Sequence, residues 1–115
     1  MFTVYVYALD TMADWEIGYV TAELNSGRFF KQDAPGVTVK TAGISRSPVK
    51  TMGGLTIIPD CVVDDIAVSE KSVLLLPGGN TWDDPKHSSI VRKAAELLSA
   101  GGTACAICGA TVALA

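Results

Sequence analysis

The chain has 115 residues and a mass of 12.0 kDa, a length that corresponds to one domain and excludes two. Apolar residues make up 49% of it and charged residues 18%, and the mean hydropathy is +0.34, so the composition excludes an intrinsically disordered chain. The formal net charge is −3 and the basic residues are scattered, which leaves no electrostatic support for binding nucleic acid or an anionic membrane. No apolar run reaches the length of about 18 residues that a membrane span requires.

Apolar runs in the first third of the chain predict a strand, a helix and a second strand. Residues 2–9 are β-branched and aromatic, which is typical of a strand buried on both faces. From Trp15 onward apolar residues recur at helical spacing, and the Asn-Ser-Gly segment at 25–27 predicts the end of that helix. Residues 37–42 predict the second strand. A strand, a helix and a strand in this order open a β-α-β unit.

The middle of the chain predicts a hairpin. Residues 48–52 and 55–58 flank Gly53-Gly54, a pair typical of a two-residue turn that needs positive φ. The segment 61–71 is expected to be a mixed loop or short helical stretch.

The last third repeats the alternation of strands and helices. Residues 72–76 predict a central parallel strand, and Asp84-Pro85 predicts a helix start, with Asp as the N-cap and Pro at the first helical position. Residues 103–107 predict a last strand, from which residues 108–111 turn into a new helix. We therefore expect an α/β fold: a mostly parallel, doubly wound sheet in three layers, with helices on both faces. The helix between these strands has an apolar stripe, formed by Ile90, Val91, Ala94, Ala95, Leu97 and Leu98.

Ligands of open α/β sheets bind beyond the carboxyl ends of the strands, which selects three segments of this chain. They are residues 10–16, Gly78 to Asn80, and Cys108-Gly109. Cys108 lies between a strand and a helix start and is followed by small residues, the arrangement of a nucleophile elbow. The first amides of the following helix favour a thiolate there. The alternative is a buried, inert cysteine, which is common because cysteine packs as a small apolar residue.

The cysteine count argues against disulfides and metal. Three cysteines without framework spacing are typical of a reducing, cytoplasmic location. Cys105 and Cys108 match Cys-x-x-Cys, but in a strand they lie about 10 Å apart, whereas a disulfide needs Cα atoms within about 7 Å. We therefore assign Cys105 to the core and expect no metal and no cofactor.

Three further positions have both a functional and a structural interpretation. The Gly78-Gly79 pair is either a turn or a place where a backbone N–H faces the cleft as an oxyanion donor. Glu16 is either a solvated acid of the first helical turn or, between Trp15 and Ile17, a partly protonated group able to donate to a thiolate. His87, the one histidine, is expected at the surface beside Lys86.

Several motifs, in this order, resemble a known family. They are Asp14-Trp15-Glu16 past the first strand, Ile58-Pro59-Asp60, Leu75-Leu76-Pro77-Gly78-Gly79, and Ala106-Ile107-Cys108-Gly109-Ala110. Together they resemble the DJ-1/ThiJ/PfpI family of the class I glutamine amidotransferase-like superfamily, over essentially the whole chain. The resemblance implies a flavodoxin-like fold and a homodimer.

The resemblance also implies roles for four residues. Cys108 matches the reactive cysteine of the elbow, Glu16 matches the acid that hydrogen-bonds it, and Gly79 and Gly109 match the backbone amides that face it. PfpI-type peptidases carry a histidine directly after the cysteine, and the Gly109 in its place argues against Cys–His peptidase chemistry. Domains of the family continue past the elbow, so residues 1–115 are expected to be the first part of a single domain whose sheet is incomplete at its C-terminus, with the remainder possible as a separate chain.

Three hypotheses for the function follow. In the first, Cys108 attacks a carbonyl or acyl carbon of a small-molecule substrate, in an amidase, a hydrolase or a glyoxal-converting enzyme. In the second, Cys108 is the thiol of a non-enzymatic redox sensor in a stress-response protein. In the third, the chain belongs to a regulatory domain whose elbow cysteine is not activated. The expected partners are a small-molecule substrate and a second copy of the chain. Binding to nucleic acid or to a membrane is not expected.

Overall fold

The computed structural model describes all residues from 1 to 115. Three α-helices are present: α1 (Asp14–Ser26), α2 (Ser88–Ser99) and α3 (Thr111–Leu114). Single 3₁₀ turns occupy Val63–Asp65, Pro85–His87 and Cys108–Ala110. None of the helices combines the length and the apolar character that crossing a bilayer demands. The strands are β1 (Phe2–Tyr7), β2 (Val37–Gly43), β3 (Val49–Lys50), β4 (Thr56–Ile57), β5 (Cys61–Val62), β6 (Ser72–Leu76) and β7 (Thr103–Ala106).

Five strands form one parallel sheet in the order β5-β2-β1-β6-β7. β1 lies at its centre, where Val4 is level with Val39 of β2 and with Val73 of β6. The chain is buried from Val4 to Leu9, as expected for an apolar strand paired on both edges. The predicted α/β fold with a mostly parallel sheet is confirmed.

The two long helices cover the sheet with different degrees of burial. In α2, Ile90, Ala94 and Leu97 are fully buried, at the spacing of four and three residues that defines one helix face. The other half of the predicted stripe, which includes Val91 and Leu98, faces outward. No residue of α1 is fully buried, although Ile17 packs against the core.

The hairpin exists, but its loop is longer than predicted. β3 and β4 pair antiparallel through Val49 with Ile57 and Lys50 with Thr56, so five residues form the loop instead of two. The Thr51 N–H donates to the Leu55 carbonyl, and the Leu55 N–H donates to the Thr51 hydroxyl, both at 2.9 Å. Of the two glycines only Gly54 has positive φ, at +83°. The side chain of Thr51 therefore closes the loop and replaces the expected tight turn.

One strand was not anticipated within the segment 61–71. β5 has two residues, Cys61 and Val62, which pair with Ala42 and Gly43 at the edge of the sheet. Gly43 is required there, because a Cβ at this position would lie 2.6 Å from both the Pro59 ring and the Ser45 carbonyl oxygen. Two residues are too few for a periodic pattern, so the sequence carries no signal for this strand.

The assignment of Cys105 to the core is wrong. Cys105 is exposed, whereas Ala104 and Ala106 on the same strand are partly buried against the core. Successive residues of a strand point to opposite faces of the sheet. Ala104 and Ala106 face the core and β7 lies at an edge of the sheet, so Cys105 lies on the opposite, exposed face.

We predict that Leu97→Ala lowers the free energy of unfolding by about 2–5 kcal/mol, because it leaves a cavity at a position with no solvent exposure. Leu98→Ala is the matched control, since the neighbouring side chain is 54% exposed and its truncation is expected to cost no more than about 0.5 kcal/mol. Urea unfolding curves of the two variants measure the difference. Equal losses would contradict the packing of α2 on the sheet.

Candidate active site

The carboxyl ends of β1, β6 and β7 meet at one edge of the sheet, and hydrogen bonds join the segments that follow them. The Ile107 N–H donates to the Leu76 carbonyl at 3.0 Å, which holds the segment after β7 against the end of β6. The Ala13 N–H donates to the Gly78 carbonyl at 2.9 Å, which ties the segment after β1 to the one after β6. The three predicted segments are thus brought together.

Cys108 occupies the turn between β7 and α3 with its backbone in the left-handed region, at φ +53°. Such a conformation costs a non-glycine residue about 1–3 kcal/mol and persists where the surroundings hold it. The Ala110 N–H donates to the Ile107 carbonyl at 3.1 Å, and the Thr111 hydroxyl donates to the Cys108 carbonyl at 2.7 Å. These bonds close the turn around Cys108, which is exposed to solvent. The geometry is that of a strand–turn–helix elbow.

Thr11 is the one other non-glycine residue with positive φ, at +69°, and it also lies at this edge. Its hydroxyl accepts the Asn80 N–H at 2.7 Å, so the side chain links the segment after β1 to the segment after β6. A β-branched residue rarely adopts this conformation. Sequence patterns carry no signal for it, because threonine is not a residue that marks left-handed turns.

Gly78 lies between Glu16 and Cys108. Its N–H donates to Glu16 Oε1 at 2.8 Å. A Cβ on Gly78 would lie 2.8 Å from that same oxygen and 3.1 Å from Cys108 Cβ, so glycine is needed for the close approach. The structure contains no direct hydrogen bond between the Glu16 carboxyl group and Cys108. The two predicted residues therefore come together across a backbone amide.

The two predicted amide donors lie next to one another. A Cβ on Gly109 would be 3.5 Å from the Gly79 carbonyl oxygen, and one on Gly79 would be 3.1 Å from the Leu9 side chain. The N–H groups of Gly79 and Gly109 donate to no acceptor within the protein. Two amides in this state are available to bind an oxygen of a ligand.

His87 is buried, at 2% exposure, and the prediction of a surface histidine is wrong. Asp84 caps the 3₁₀ turn Pro85–His87, through a bond from the Lys86 N–H at 2.9 Å, and α2 begins only at Ser88. That extra turn directs the imidazole inward. The side chain then satisfies both ring nitrogens in the interior, where a polar group needs hydrogen-bond partners.

The partners of His87 form a chain of hydrogen bonds. Tyr7 OH lies 2.7 Å from Nδ1, and the Thr81 hydroxyl lies 3.0 Å from Nε2. In a neutral imidazole one ring nitrogen donates and the other accepts, and the Tyr7 and Thr81 hydroxyl groups can take the complementary roles. The network thus accommodates a neutral imidazole with both ring nitrogens hydrogen-bonded.

Burial sets the ionisation of this cluster. Burial, with a smaller contribution from the Lys86 charge, lowers the pKa of His87, and Asp84 opposes the shift. Burial also raises the pKa of the Tyr7 phenol, and the Asp84 charge adds to it. Both groups are therefore held in their neutral forms.

Trp82 packs on this cluster and reaches the elbow. Its ring centroid lies 5.6 Å from that of Tyr7 and 4.9 Å from that of His87. Its indole N–H donates to the Pro77 carbonyl at 2.9 Å, and a Cβ on Gly109 would lie 3.9 Å from Trp82 Cδ1.

The other cysteines differ from Cys108. Cys61 is half-buried and its Sγ–H donates to the Thr41 carbonyl at 3.6 Å. Burial, supported by the Asp65 charge, raises the pKa of the Cys61 thiol. Cys61 is thus held as a thiol, and Cys105 lies within β7, away from the elbow turn.

Asp14, at the start of α1, joins that helix to the hairpin. Its carboxylate accepts the Gly53 N–H at 2.8 Å. The side chain of Thr51, together with the Gly53 N–H, holds the pKa of Asp14 below its usual value. The bond to Gly53 joins the first turn of α1, which carries Glu16, to the hairpin loop.

A cavity of about 230 Å³ lies beside this edge but does not include Cys108. It is formed by the ends of β1 and β2 and by the turn before α2, with Asp10, Ser45, Lys86 and His87 among its lining residues. The structure brings no group of three His, Cys, Asp or Glu side chains to a point where they could share a metal ion.

Comparison with known proteins identifies relatives over nearly the whole chain. The profile of the DJ-1/PfpI family matches residues 2–115. An uncharacterized protease of Bacillus subtilis, YoaZ, is 48% identical over 112 residues, which are 97% of this chain and 53% of the relative. The chain thus spans about half the length of this curated relative.

Solved structures agree with this result. A ThiJ/PfpI family protein from Bacillus anthracis superimposes with a TM-score of 0.94 at 45% identity, over 100% of this chain and 55% of that one. DJ-1beta of Drosophila melanogaster shares the fold, with a TM-score of 0.75 at 22% identity over 98% of this chain and 58% of its own.

We predict that His87 makes the protein less stable as the pH falls from 7.5 to 5.5. Because the folded pKa of His87 is lowered, the unfolded chain binds its proton first; the stability is complete above about pH 6.5 and is lost below it. The loss between these two pH values is at most about 1.4 kcal/mol. Urea unfolding at both pH values, with His87→Gln as the non-titrating control, measures it. An identical pH dependence in both proteins would contradict the buried neutral imidazole.

Proposed function

The chain belongs to the DJ-1/PfpI family, and on that premise we propose that Cys108 is a nucleophile that attacks a carbonyl or acyl carbon of a small molecule. The observation that carries the proposal is the backbone of Cys108, held at φ +53° in an exposed turn with Glu16 and Gly78 beside it. A strained cysteine at a strand–helix junction serves no packing purpose. It presents a thiol to solvent with backbone amides nearby.

The chemistry follows from the groups at this edge. The thiolate sulfur forms a bond to the carbonyl carbon, and the electrons of the C=O π bond move to oxygen. The free N–H groups of Gly79 and Gly109 are the donors for that oxyanion. Glu16 holds the thiol proton and returns it to the oxyanion of an aldehyde adduct, or to the leaving amine when an amide C–N bond breaks; water then hydrolyses the thioester.

The substrate class we propose is a small amide or a reactive aldehyde such as a glyoxal. Gly109 stands where PfpI-type peptidases carry a histidine, so this site lacks the adjacent base that peptide hydrolysis would use. The Bacillus subtilis relative carries the name of a protease, which supports hydrolysis as the broader class. Glu16 is the acid–base group in either reaction.

A second candidate function is redox sensing, and the exposure of Cys108 as a free thiol favours it. In the reaction with a peroxide, a sulfur–oxygen bond forms and the O–O bond breaks; the cysteine becomes a sulfenic acid and the peroxide leaves as water. Both functions need a reduced thiol, so we propose a cytoplasmic location.

We predict that Cys108→Ser abolishes turnover of glyoxals and small amides, because a serine hydroxyl is not ionised at this position at neutral pH. Cys105→Ser is the matched control and retains the activity, since Cys105 lies outside the elbow. Product formation by both variants, measured in the full-length protein, tests the enzyme hypothesis. Unchanged rates in Cys108→Ser would exclude it.

Treatment of the wild-type protein with mild peroxide distinguishes the redox-sensor hypothesis from the enzyme hypothesis. Selective oxidation at Cys108, seen by mass spectrometry, in a protein that turns over neither substrate class favours the sensor. Oxidation of Cys61 or Cys105 before Cys108 would count against both hypotheses and would favour a regulatory domain with an unactivated cysteine.

We also propose that the protein forms a homodimer through the outer face of α1. Tyr19 is 86% exposed and Trp15 is 68% exposed on this face, next to Gly18, and unpaired aromatic side chains of this kind are typical of interfaces.

We predict that Tyr19→Lys shifts the full-length protein from dimer to monomer in sedimentation equilibrium. Leu98→Lys on α2 is the control, and loss of the dimer in both variants would place the interface elsewhere.

A further inference from the structure

A single peptide unit, between Pro77 and Gly78, connects two side chains on opposite sides of the elbow. The Trp82 indole N–H donates to its carbonyl oxygen at 2.9 Å, and its N–H donates to Glu16 Oε1 at 2.8 Å. A peptide unit is planar and rotates as one body. The orientation that Trp82 gives to the carbonyl is therefore also the orientation of the N–H that holds Glu16.

We propose that Trp82 is a positioning residue, which holds the Glu16 carboxyl group against Cys108 through this peptide. The inference deepens the proposed function and rests on it for the role of Glu16. Trp82 acts on Glu16 through the amide between Pro77 and Gly78, whose carbonyl accepts the indole N–H and whose N–H donates to Glu16.

The close packing around Gly78 makes the coupling sensitive. Because a Cβ there would lie 2.8 Å from Glu16 Oε1 and 3.1 Å from Cys108 Cβ, the peptide, the carboxyl group and the cysteine leave no free space between them. A small rotation of the peptide moves the Gly78 N–H, which donates to Glu16, relative to the sulfur of Cys108. A hydrogen bond accepted at the carbonyl also polarises the amide and strengthens its N–H as a donor.

Trp82 itself is rigidly placed. Its indole packs against Tyr7 and His87, and these two side chains are fixed to one another by their hydrogen bond of 2.7 Å. The other side of the indole approaches Gly109, where a Cβ would lie 3.9 Å from Cδ1. Trp82 thus spans from the buried hydrogen-bond network to the amides of the elbow. A residue that only filled space would not need its N–H directed at the Pro77 carbonyl.

The deciding variant is Trp82→Phe, which keeps an aromatic ring on the cluster and removes the indole N–H. Leu98→Ala is the control, because Leu98 is exposed on α2, outside the elbow and outside the proposed dimer face. The first readout is amide hydrogen exchange of Gly78, followed by NMR in the full-length protein. We expect about tenfold faster exchange in Trp82→Phe, a change of the size that one lost hydrogen bond produces, and none in Leu98→Ala.

The second readout is the rate of alkylation of Cys108 by iodoacetamide between pH 6 and 9. We expect Trp82→Phe to react several-fold more slowly than wild type near pH 7 and equally fast at the upper end, because Glu16 no longer supports the thiolate. In a Glu16→Gln background the substitution at Trp82 should have no further effect on this profile. A purely structural role of Trp82 would give the same change in both backgrounds.

Unchanged exchange at Gly78 in Trp82→Phe would overturn the inference, and so would an equal effect on alkylation with and without Glu16. Turnover is measured in neither readout. A protein without activity that still shows the Trp82–Glu16 coupling would refute the proposed function and leave the positioning role intact. If Trp82→Phe does not fold, replacement by 3-benzothienylalanine, where sulfur takes the place of the N–H in a ring of the same shape, gives the same test.

Discussion

β6 is hydrogen-bonded on both edges, to β1 and to β7, and the position of every group in the candidate site depends on this pairing. Leu75 is level with Val6 on one side and with Cys105 on the other. Because the three strands are parallel, their carboxyl ends lie at one edge of the sheet, and residues separated by about a hundred positions in the chain become neighbours. Leu74, Leu75 and Leu76 are all buried, so β6 packs on both faces and a shift of one residue in this register would exchange the side chains that the two faces present to the core.

The site at that edge is built mainly from backbone groups. Glu16 is held by the N–H of Gly78, the free donors are the amides of Gly79 and Gly109, and Cys108 is placed by its own strained φ. Glycine at 78 is a steric requirement, because any side chain would occupy the space that Glu16 and Cys108 share. Side chains around these amides orient them. Thr11 accepts a hydrogen bond from the segment after β6, and Trp82 donates one to it.

The hydrogen-bond network of Tyr7, His87 and Thr81 gives the edge its rigidity. Each hydroxyl and ring nitrogen has a partner, so the cluster is buried without an unpaired polar group. It is also the support of Trp82, whose ring rests on two of its members. Trp82 thus connects the buried hydrogen-bond network to the backbone at the elbow, because it packs on Tyr7 and His87 and donates to the Pro77 carbonyl.

The alternation of strands and helices, the central apolar strand and the elbow at Cys108 could all be predicted from local patterns, since each reflects the period or the turn chemistry of a short segment. The two-residue strand β5, the burial of His87 and the exposure of Cys105 could not. β5 is too short to show a period, and the direction of His87 follows from a 3₁₀ turn before α2. Cys105 and the partly buried alanines of β7 lie on opposite faces of the strand, and only the face with the alanines packs against the core.

Patterns within about ten residues are enough to predict the α/β class, the order of the elements and the residue types at the three strand ends. The approach of Glu16 to Cys108 across Gly78, and the hydrogen bond from Trp82 to the peptide between them, arise from the folding of the chain. Those contacts join residues far apart in the chain through backbone amides, which every residue carries and no sequence pattern marks.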